Sequence, residues 1–347
     1  MAVDRMPAKR ETFQLLLVGD CMLGRGLNQA LNQQPPEFPW GDTLPLFRNA
    51  DGSICNLECV LSDRGEPWSQ YYKAFHFQSA AKNVAVLTAA GINAVSIANN
   101  HILDYGYDAL QQMLEVLEGT NIVHGGAGAS LAQASQIARF EIHGRRFGLL
   151  AFTDNEPLWE ATGERPGTLY VPVTLEDPRA QCLLNIIRGR KDLDTLIVSA
   201  HWGSNWGYTP PQEHVRFAHA LVDAGADVIF GHSSHVFRGI ELYKSRAILY
   251  STGDFVDDYA VDSTERNDQS FAFMLELDTA GPARLRLYPT MIDYCQARLA
   301  RENEAQGIAA KMQQLCAAFG TLSRWDPEQQ LLEIGERTAA MDFVQRP

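Results

Sequence analysis

The sequence predicts an α/β fold in which β-strands alternate with helices. Three stretches carry this prediction, since in each an apolar, β-rich run is followed by a short loop and a segment with helical periodicity. They are residues 13–31, 94–117 and 195–235. The last is the most complete, because a second apolar run follows its helix and makes a strand–helix–strand unit. Units of this kind are typical of α/β proteins.

Both strands of residues 195–235 end in histidine. The first apolar run stops at His201, and the second stops at His232, with His235 three residues later. Reactive side chains of such sheets lie past the carboxyl ends of the strands, and neutral imidazole is a good ligand for divalent metals. A lone histidine in this position is more often a satisfied polar residue, so the cluster of three predicts the metal site. Gly231 would permit close backbone approach in its loop.

Further metal-binding side chains follow other predicted strands. They are Asp20 after residues 13–18, Glu58 after residues 53–57, and Asn100 with His101 after residues 94–98. Each has an ordinary alternative interpretation, since an aspartate there can cap the following helix and a glutamate can be solvated. Their joint occurrence at strand ends predicts that they face the histidines. His214 and His219, on the helix between the two histidine-bearing strands, are interpreted as surface residues.

Composition excludes some partners and leaves others open. The chain has 347 residues, 46% of them hydrophobic, which is enough for one large domain or two ordinary ones. Its net charge of −13 argues against sequence-independent binding of nucleic acid, which depends on Lys and Arg. A small anionic substrate remains compatible, because a metal site supplies positive charge locally. A homo-oligomer is left open.

Cysteine usage and hydropathy bear on the compartment. The six cysteines are scattered, and several lie in apolar runs, which indicates reduced residues and a cytoplasmic location. No window approaches the roughly 20 apolar residues of a membrane span, and residues 13–18 are too short for a signal peptide. We expect a disordered lead over residues 1–10, a main domain over 11–295 and a mostly helical C-terminal extension over 296–347.

Six short motifs in order resemble the bacterial capsule-synthesis CapA family, of the poly-γ-glutamate type, a branch of the calcineurin-like metallophosphoesterases. The motifs cover roughly residues 13–290. They are Gly19-Asp20 with Met22-Leu23-Gly24-Arg25, Asn56-Leu57-Glu58, Ala98-Asn99-Asn100-His101 with Asp104 and Gly106, His201-Trp202-Gly203, Gly231 to Val236, and Tyr250 to Phe255. The resemblance implies a four-layer α/β/β/α sandwich with a site for one or two divalent ions (Mn, Fe or Zn) at one sheet edge.

The resemblance also implies roles for individual residues. Asp20 and His235 would bind a first ion, Glu58 would bridge, and Asn100, His201 and His232 would bind a second ion. His101 would be catalytic and contact the leaving group or a phosphate oxygen. We expect Arg25, Lys73 and Asn99 to bind the substrate.

The chain departs from the family pattern at the first ion. Where Asp-x-His is usual, the chain has Asp20-x-Met22, so the first ion lacks one ligand and weaker binding is expected. Where Gly-Asn-Phe is usual, the chain has Gly253-Asp254-Phe255, which adds a carboxylate near the site. We expect Asp254 to be catalytic together with His101.

The leading functional hypothesis is a metal-dependent phosphoesterase in which a metal-bridging hydroxide attacks phosphorus. The same chemistry applies to a carbonyl, so a hydrolase or transferase acting on amide or γ-glutamyl bonds is an alternative. A non-catalytic subunit of capsule or polyglutamate synthesis is a third.

Overall fold

Two β-sheets, one of ten strands and one of six, form the frame of the protein. The computed structural model describes residues 12–278 and 282–335, so the predicted disordered lead lies outside the described residues. The strands are β1 (Phe13–Cys21), β2 (Gly52–Leu57), β3 (Val60–Leu61), β4 (Gln78–Ser79), β5 (Ala94–Ser96), β6 (Val123–Gly125), β7 (Ala127–Gly128), β8 (Ala138–Ile142), β9 (Arg145–Thr153), β10 (Gly167–Thr168), β11 (Thr195–His201), β12 (Val228–His232), β13 (Ile240–Tyr243), β14 (Arg246–Leu249), β15 (Asp254–Val256), β16 (Gln269–Leu277), β17 (Pro282–Ile292), β18 (Ala297–Leu299), β19 (Leu322–Asp326) and β20 (Leu331–Gly335).

The helices flank these sheets. The α-helices are α1 (Arg25–Ala30), α2 (Leu44–Asn49), α3 (Val84–Ala90), α4 (Gly106–Glu118), α5 (Leu131–Ala134), α6 (Pro178–Arg188), α7 (Gln212–Ala224) and α8 (Asn303–Ala317). Short 3-10 helices cover Phe38–Thr43, Ala81–Asn83 and Pro157–Trp159. Within the described ranges, no helix has both the length and the apolar character needed to cross a membrane.

Parallel strands form one side of the larger sheet and the middle of the smaller one. The larger sheet runs β19-β20-β17-β16-β1-β2-β5-β6, with β15 beside β1 and β18 beside β17. The smaller runs β13-β14-β12-β11-β9-β8. The predicted strand–helix–strand unit is β11-α7-β12, and its strands are parallel as expected. Strands β8 and β9 form an antiparallel hairpin, and β16 and β17 also pair antiparallel.

Alternation along the strands explains why there are four layers. In β1, Leu15 and Leu17 belong to an apolar cluster that also contains Ile197 of β11, so this cluster fills the space between the two sheets. Leu16 and Val18 point the other way, into a cluster with residues of α1 to α4. Successive side chains of a strand face opposite sides of a sheet, so both faces are buried here.

The smaller sheet repeats this arrangement. Its outer face, which includes Leu196 and Val198 of β11, packs against Leu183 of α6 and Leu221 of α7. The order of layers is therefore helix, sheet, sheet, helix. This confirms the four-layer α/β/β/α fold class.

The C-terminal extension holds more β-structure than the sequence pattern indicated. Helix α8 accounts for its helical part, and Ile308 and Met312 bury the helix face in the central cluster. Strands β19 and β20 then form a hairpin, and β20 pairs with β17 at the edge of the larger sheet. Residues 336–347 lie outside the described residues.

One surface assignment was wrong. His214, predicted to lie on the surface of α7, is buried, and its ring lies 4.8 Å from that of Trp202. The first turn of α7 packs beneath the loop after β11, and burial lowers the pKa of His214 to about 4. His219 is partly exposed and its Nε2 lies 2.9 Å from Glu241.

At Gly231, β12 lies very close to the backbone that follows β14. A Cβ at this position would lie 2.3 Å from the carbonyl oxygen of Tyr250. We therefore expect Gly231→Ala to lower the free energy of unfolding by about 1–3 kcal/mol through overpacking, measured by denaturant titration.

The matched control is Gly307→Ala in α8, where a Cβ would meet nothing within 4 Å. Alanine there should raise stability by about 0.5–1 kcal/mol. Equal stability of Gly231→Ala and the natural protein would mean that the close approach imposes no constraint.

Candidate metal centre

Four strand ends converge at one edge of the two sheets. Register pairs Asp20 of β1 with Asn56 of β2, and His201 of β11 with His232 of β12. Asn56 Nδ2 donates to Asp20 Oδ1 at 2.8 Å and lies 3.3 Å from His201 Nδ1. His232 Nδ1 lies 2.9 Å from Asp20 Oδ1. The predicted convergence of Asp20 with these two histidines is therefore present.

Glu58 lies at the centre of this group. Its side chain is 1% exposed, and neither carboxylate oxygen has a hydrogen-bond partner among the described residues. Its Oε1 lies 3.9 Å from His201 Nε2 and 4.0 Å from His101 Nε2. A buried carboxylate without a partner is strongly destabilising, and a bound cation would remove that penalty. His232 Nε2 is also buried and has no hydrogen-bond partner among the described residues. The residues present fit divalent ions.

His235 and Asp254 complete the centre. His235 Nδ1 lies 2.9 Å from Asp254 Oδ1, and register places Asp254 of β15 beside Asp20 of β1. One ligand atom from each of Asp20, Glu58, His235 and Asp254 lies within 4.8 Å of the others. Ser233 and His235 both have positive φ, of 91° and 54°, so the loop after β12 is held in a backbone conformation uncommon for such residues.

Burial governs the ionisation of the acidic side chains. It raises the pKa of Glu58 and of Asp254 well above their usual range, and the negative charge of Asp20 raises both further. The pKa of Asp257 is likewise raised by burial and by the charge of Asp254. Burial acts against ionisation of Asp20 as well, but its hydrogen bond and charge interaction with His232 outweigh this and lower its pKa to about 2. The cluster thus concentrates acidic groups that a cation would stabilise as carboxylates.

His101 is fixed by contacts on two sides. Its Nδ1 lies 2.6 Å from Asp104 Oδ2, and its ring stacks on Phe77 at 3.9 Å. Burial lowers the pKa of His101 and raises that of Asp104 to about 7. The other ring nitrogen, Nε2, faces Glu58 and the side chain of Asn100, whose Nδ2 lies 3.2 Å away.

Asn100 and Asn99 differ in how their side chains are used. Asn100 Oδ1 is buried and has no partner among the described residues, which suits a ligand. Asn99, expected to bind substrate, is fully buried; its Nδ2 donates to Asn56 Oδ1 and Leu57 O, and its Oδ1 accepts from the His101 backbone. Because its amide is used in these contacts, Asn99 fixes the positions of Asn56 and the His101 backbone.

A cavity of about 510 Å³ opens over the centre. It is bounded by His101, Asn100 and His235 on the side of the centre, and by Arg25, Lys73 and several aromatic rings elsewhere. The aromatic lining residues are Tyr72, Phe75, Phe77, Trp206 and Tyr259.

Both predicted substrate-binding cations line this cavity, but each is already paired. Arg25 Nε lies 3.3 Å from Asp258 Oδ1. Lys73 Nζ lies 3.1 Å from Asp104 Oδ1 and 3.5 Å from Glu156 Oε1, and it donates to the carbonyl of Asn100. Lys73 therefore ties three segments together beside the centre.

Asp104 and Tyr259 are among the site residues that had no role assigned from the sequence. Asp104 orients His101, and its spacing of three residues from that histidine was an available signal. Tyr259 lines the cavity, its hydroxyl is buried without a partner in the described structure, and its ring centroid lies 5.4 Å from that of His235. No local pattern marks Tyr259, because it reaches the site through the strand pairing of β15.

Comparison with known proteins agrees with this arrangement. A model of the bacterial capsule synthesis protein family PGA_cap matches residues 14–259, which hold every strand end described above. The chain belongs to this family.

Named PGA_cap relatives are similar over most of the chain. A "Probable polyglutamine synthesis accessory protein" of Mycobacterium tuberculosis is 31% identical over 373 residues, covering 95% of this chain and 97% of that protein. The "Capsule biosynthesis protein CapA" of Bacillus anthracis is 30% identical over 257 residues, covering 72% of this chain and 61% of that one. Among solved structures, a hypothetical protein from Thermus thermophilus has a TM-score of 0.47 at 16% identity, covering 80% of this chain and 98% of that one.

The buried, unpartnered carboxylate of Glu58 leads to a prediction about stability. When Mn²⁺ is added to chelator-treated protein at about 100 times its Kd, the free energy of unfolding should rise by about 2.7 kcal/mol. Glu58→Gln should stabilise the chelated protein, because it removes a buried carboxylate without a partner, and should lose most of the gain from Mn²⁺. Thermal unfolding with and without the ion measures both effects.

Glu115→Gln, on the exposed face of α4, is the control and should retain the full gain. A Glu58→Gln protein that gains as much from Mn²⁺ as the natural protein would place the ions elsewhere.

Proposed function

We propose that this PGA_cap protein is a metal-dependent hydrolase acting on a phosphate ester. The observation that carries the proposal is the placement of Glu58, a buried carboxylate with two unpaired oxygens between the histidines of one sheet and the aspartates of the other. Such a constellation has no evident structural use without a cation, and it lies beneath a cavity of substrate size.

The two sheets would hold two ions with different ligands. His201, His232 and Asn100 would bind one ion, and Asp20 with His235 would bind the other, with Glu58 shared. When bound, the ions would supply Lewis-acid charge to phosphoryl oxygens and lower the pKa of water. Imidazole, carboxylate and amide oxygen together suit Mn, Fe or Zn.

The protein's own side chains hold this arrangement in place. Asn56 donates to Asp20 and contacts His201, so it couples ligands from the two sheets. Thr252 Oγ1 lies 3.2 Å from His232 Nδ1. Asp104 holds His101 so that Nε2 points toward Glu58 and the cavity, where it would contact the leaving oxygen of an ester. Contacts that orient ligands in this way are a regular feature of metal sites.

The cavity supports a small anionic substrate with an organic group of moderate size. Its volume of about 510 Å³ lies within the usual range for small-molecule sites. The exposed aromatic rings of Tyr72, Phe75 and Trp206 give the rim an apolar character. The amide of Asn205 adds a hydrogen-bonding group to the lining.

The first activity test uses the ligands themselves. The Mn²⁺-loaded protein should hydrolyse an aryl phosphate, and Glu58→Gln and His232→Ala should each lower kcat/KM by about 10²–10³-fold or more, because each removes a group from the metal centre. Initial rates with a chromogenic phosphate measure this.

His219→Ala is the control, since His219 contacts Glu241 and Tyr243 away from the centre, and it should leave the rate unchanged. Hydrolysis that survives both substitutions in the centre would refute the proposal.

A second test separates metal binding from catalysis. His101→Gln should keep the metal content of the natural protein, because His101 is not among the proposed ligands. It should lower kcat by about 10²–10⁴-fold, the usual contribution of a side chain that transfers or hydrogen-bonds a proton at the reacting group. Elemental analysis and steady-state kinetics on one preparation give the metal content and kcat. Loss of metal in this variant would instead indicate that His101 is a ligand.

The names of the relatives favour a second candidate, which is hydrolysis or transfer at a γ-glutamyl amide bond. Proteins named for polyglutamine synthesis and capsule biosynthesis align over most of this chain, and the same centre suits attack on a carbonyl. Turnover of γ-glutamyl peptides without turnover of phosphate esters would favour it. Bound metal without turnover of either class, together with co-purifying proteins, would favour a non-catalytic accessory role.

A further inference from the structure

The centre contains one carboxylate more than the proposed ligands require. Asp254 is fully buried at the start of β15. The Asp20 backbone N–H donates to Gly253 O at 2.9 Å. A Cβ on Gly19 would lie 1.9 Å from that same oxygen, so β1 and β15 approach each other more closely here than any larger residue would allow. This pairing brings the side chain of Asp254 to the side of Asp20.

Asp254 contacts a histidine, a second carboxyl group and the ligand cluster. Oδ1 is 2.9 Å from His235 Nδ1. A hydrogen bond links its side chain to that of Asp257, and Oδ2 accepts no hydrogen bond from an N–H or alcohol donor in the described part of the chain. One Asp254 oxygen lies within 4.8 Å of ligand atoms of Asp20, Glu58 and His235. Asp254 is therefore close enough to share an ion with these three residues.

The residue two positions after Asp20 offers no ligand to the centre. Met22 is fully buried in the apolar cluster outside the larger sheet, and its sulfur accepts from the Gly24 N–H at 3.0 Å. Met22 is therefore directed into the core. The first ion has no ligand from that position.

The two halves of the centre consequently differ in chemistry. On one side, Asp20 and Glu58 meet the imidazoles of His201 and His232. On the other side, they meet Asp254 and a single imidazole, that of His235. Carboxylates suit Mn²⁺ and Mg²⁺, whereas imidazoles suit Zn²⁺ and other later metals.

We propose that Asp254 is a direct ligand of the first ion, and that the resulting site of three carboxylates and one imidazole shifts metal preference from Zn²⁺ toward Mn²⁺. This assigns Asp254 to metal binding instead of the catalytic role expected from the sequence. The inference rests on the metal-binding part of the proposed function and is independent of which bond is cleaved.

The test compares affinities for Mn²⁺ and Zn²⁺ in chelator-treated natural protein and in Asp254→Asn, by calorimetric titration with each metal alone. Asparagine is nearly isosteric with aspartate and carries no charge. Loss of the carboxylate should weaken Mn²⁺ binding about tenfold or more and Zn²⁺ binding less, so the ratio of Zn²⁺ to Mn²⁺ affinity rises.

The control is Asp227→Asn, which neutralises a buried carboxylate that pairs with Arg190 and Arg246 just before β12, away from the centre, and which should leave the ratio unchanged. Equal weakening of both metals in Asp254→Asn would overturn the inference, because a residue that acts only through His235 affects both ions alike.

Anomalous diffraction from Mn²⁺-loaded crystals of the natural protein provides a direct measurement that needs no variant. An ion bonded to an Asp254 oxygen supports the inference, and an ion bonded to His235 with Asp254 outside its coordination sphere refutes it. Natural protein that binds no metal would refute both the inference and the proposed function. Natural protein that binds metal with the same preference as Asp254→Asn would refute the inference alone.

Discussion

The contact between Asp20 and His232 is the interaction on which the rest of the centre depends. Asp20 ends a strand of the larger sheet and His232 ends a strand of the smaller sheet, and their side chains meet at 2.9 Å. A charged hydrogen bond in a fully buried setting is strong and short, but it forms only if both sheets present their carboxyl ends at the same edge. The apolar cluster between the sheets sets that alignment. The geometry of the candidate metal centre is thus set by the packing of the two sheets more than by any one loop.

This origin ties metal binding to the stability of the whole fold. The proposed ligands come from both sheets, so an ion bound between them would add a link across the central layer. Without such a link, the same edge carries Glu58, Asp254 and Asp257, all buried acids whose pKa values are raised by burial and by neighbouring acids. If the centre binds metal as proposed, these acids would lower the stability of the metal-free form in exchange for a site that is already assembled.

The sequence predicted those parts of the centre that depend on local strand endings. Parallel strands of similar length end together, so His201 and His232 were correctly expected at one edge, and register now pairs them directly. It could not predict what depends on distant pairing. Asp254 reaches Asp20 through a short parallel pairing across more than 230 residues of chain. Its place near the site was expected only from the family resemblance, because no local pattern encodes that contact.

The burial of His214 and the C-terminal hairpin were also not predicted from the sequence. His214 lies three, four and seven residues before Phe217, Ala218 and Leu221, so its spacing is that of the buried face of α7. The surface assignment followed from its polarity, and the loop after β11 folds over it. The hairpin of β19 and β20 was missed because β19 is half-exposed and polar, and its partner strand gains its apolar environment only by joining the larger sheet.

The charges around the cavity indicate where the attraction for an anionic substrate would originate. Arg25 is paired with Asp258, and Lys73 is paired with Asp104 and Glu156, so neither side chain offers an uncompensated positive charge. The chain as a whole carries a net charge of −13, which repels an anion at long range. Ions held by the centre would therefore supply the positive charge that a phosphate group needs. Binding of substrate and binding of metal would then be coupled, since an anion that enters the cavity without the ions would meet Glu58 and the neighbouring acids.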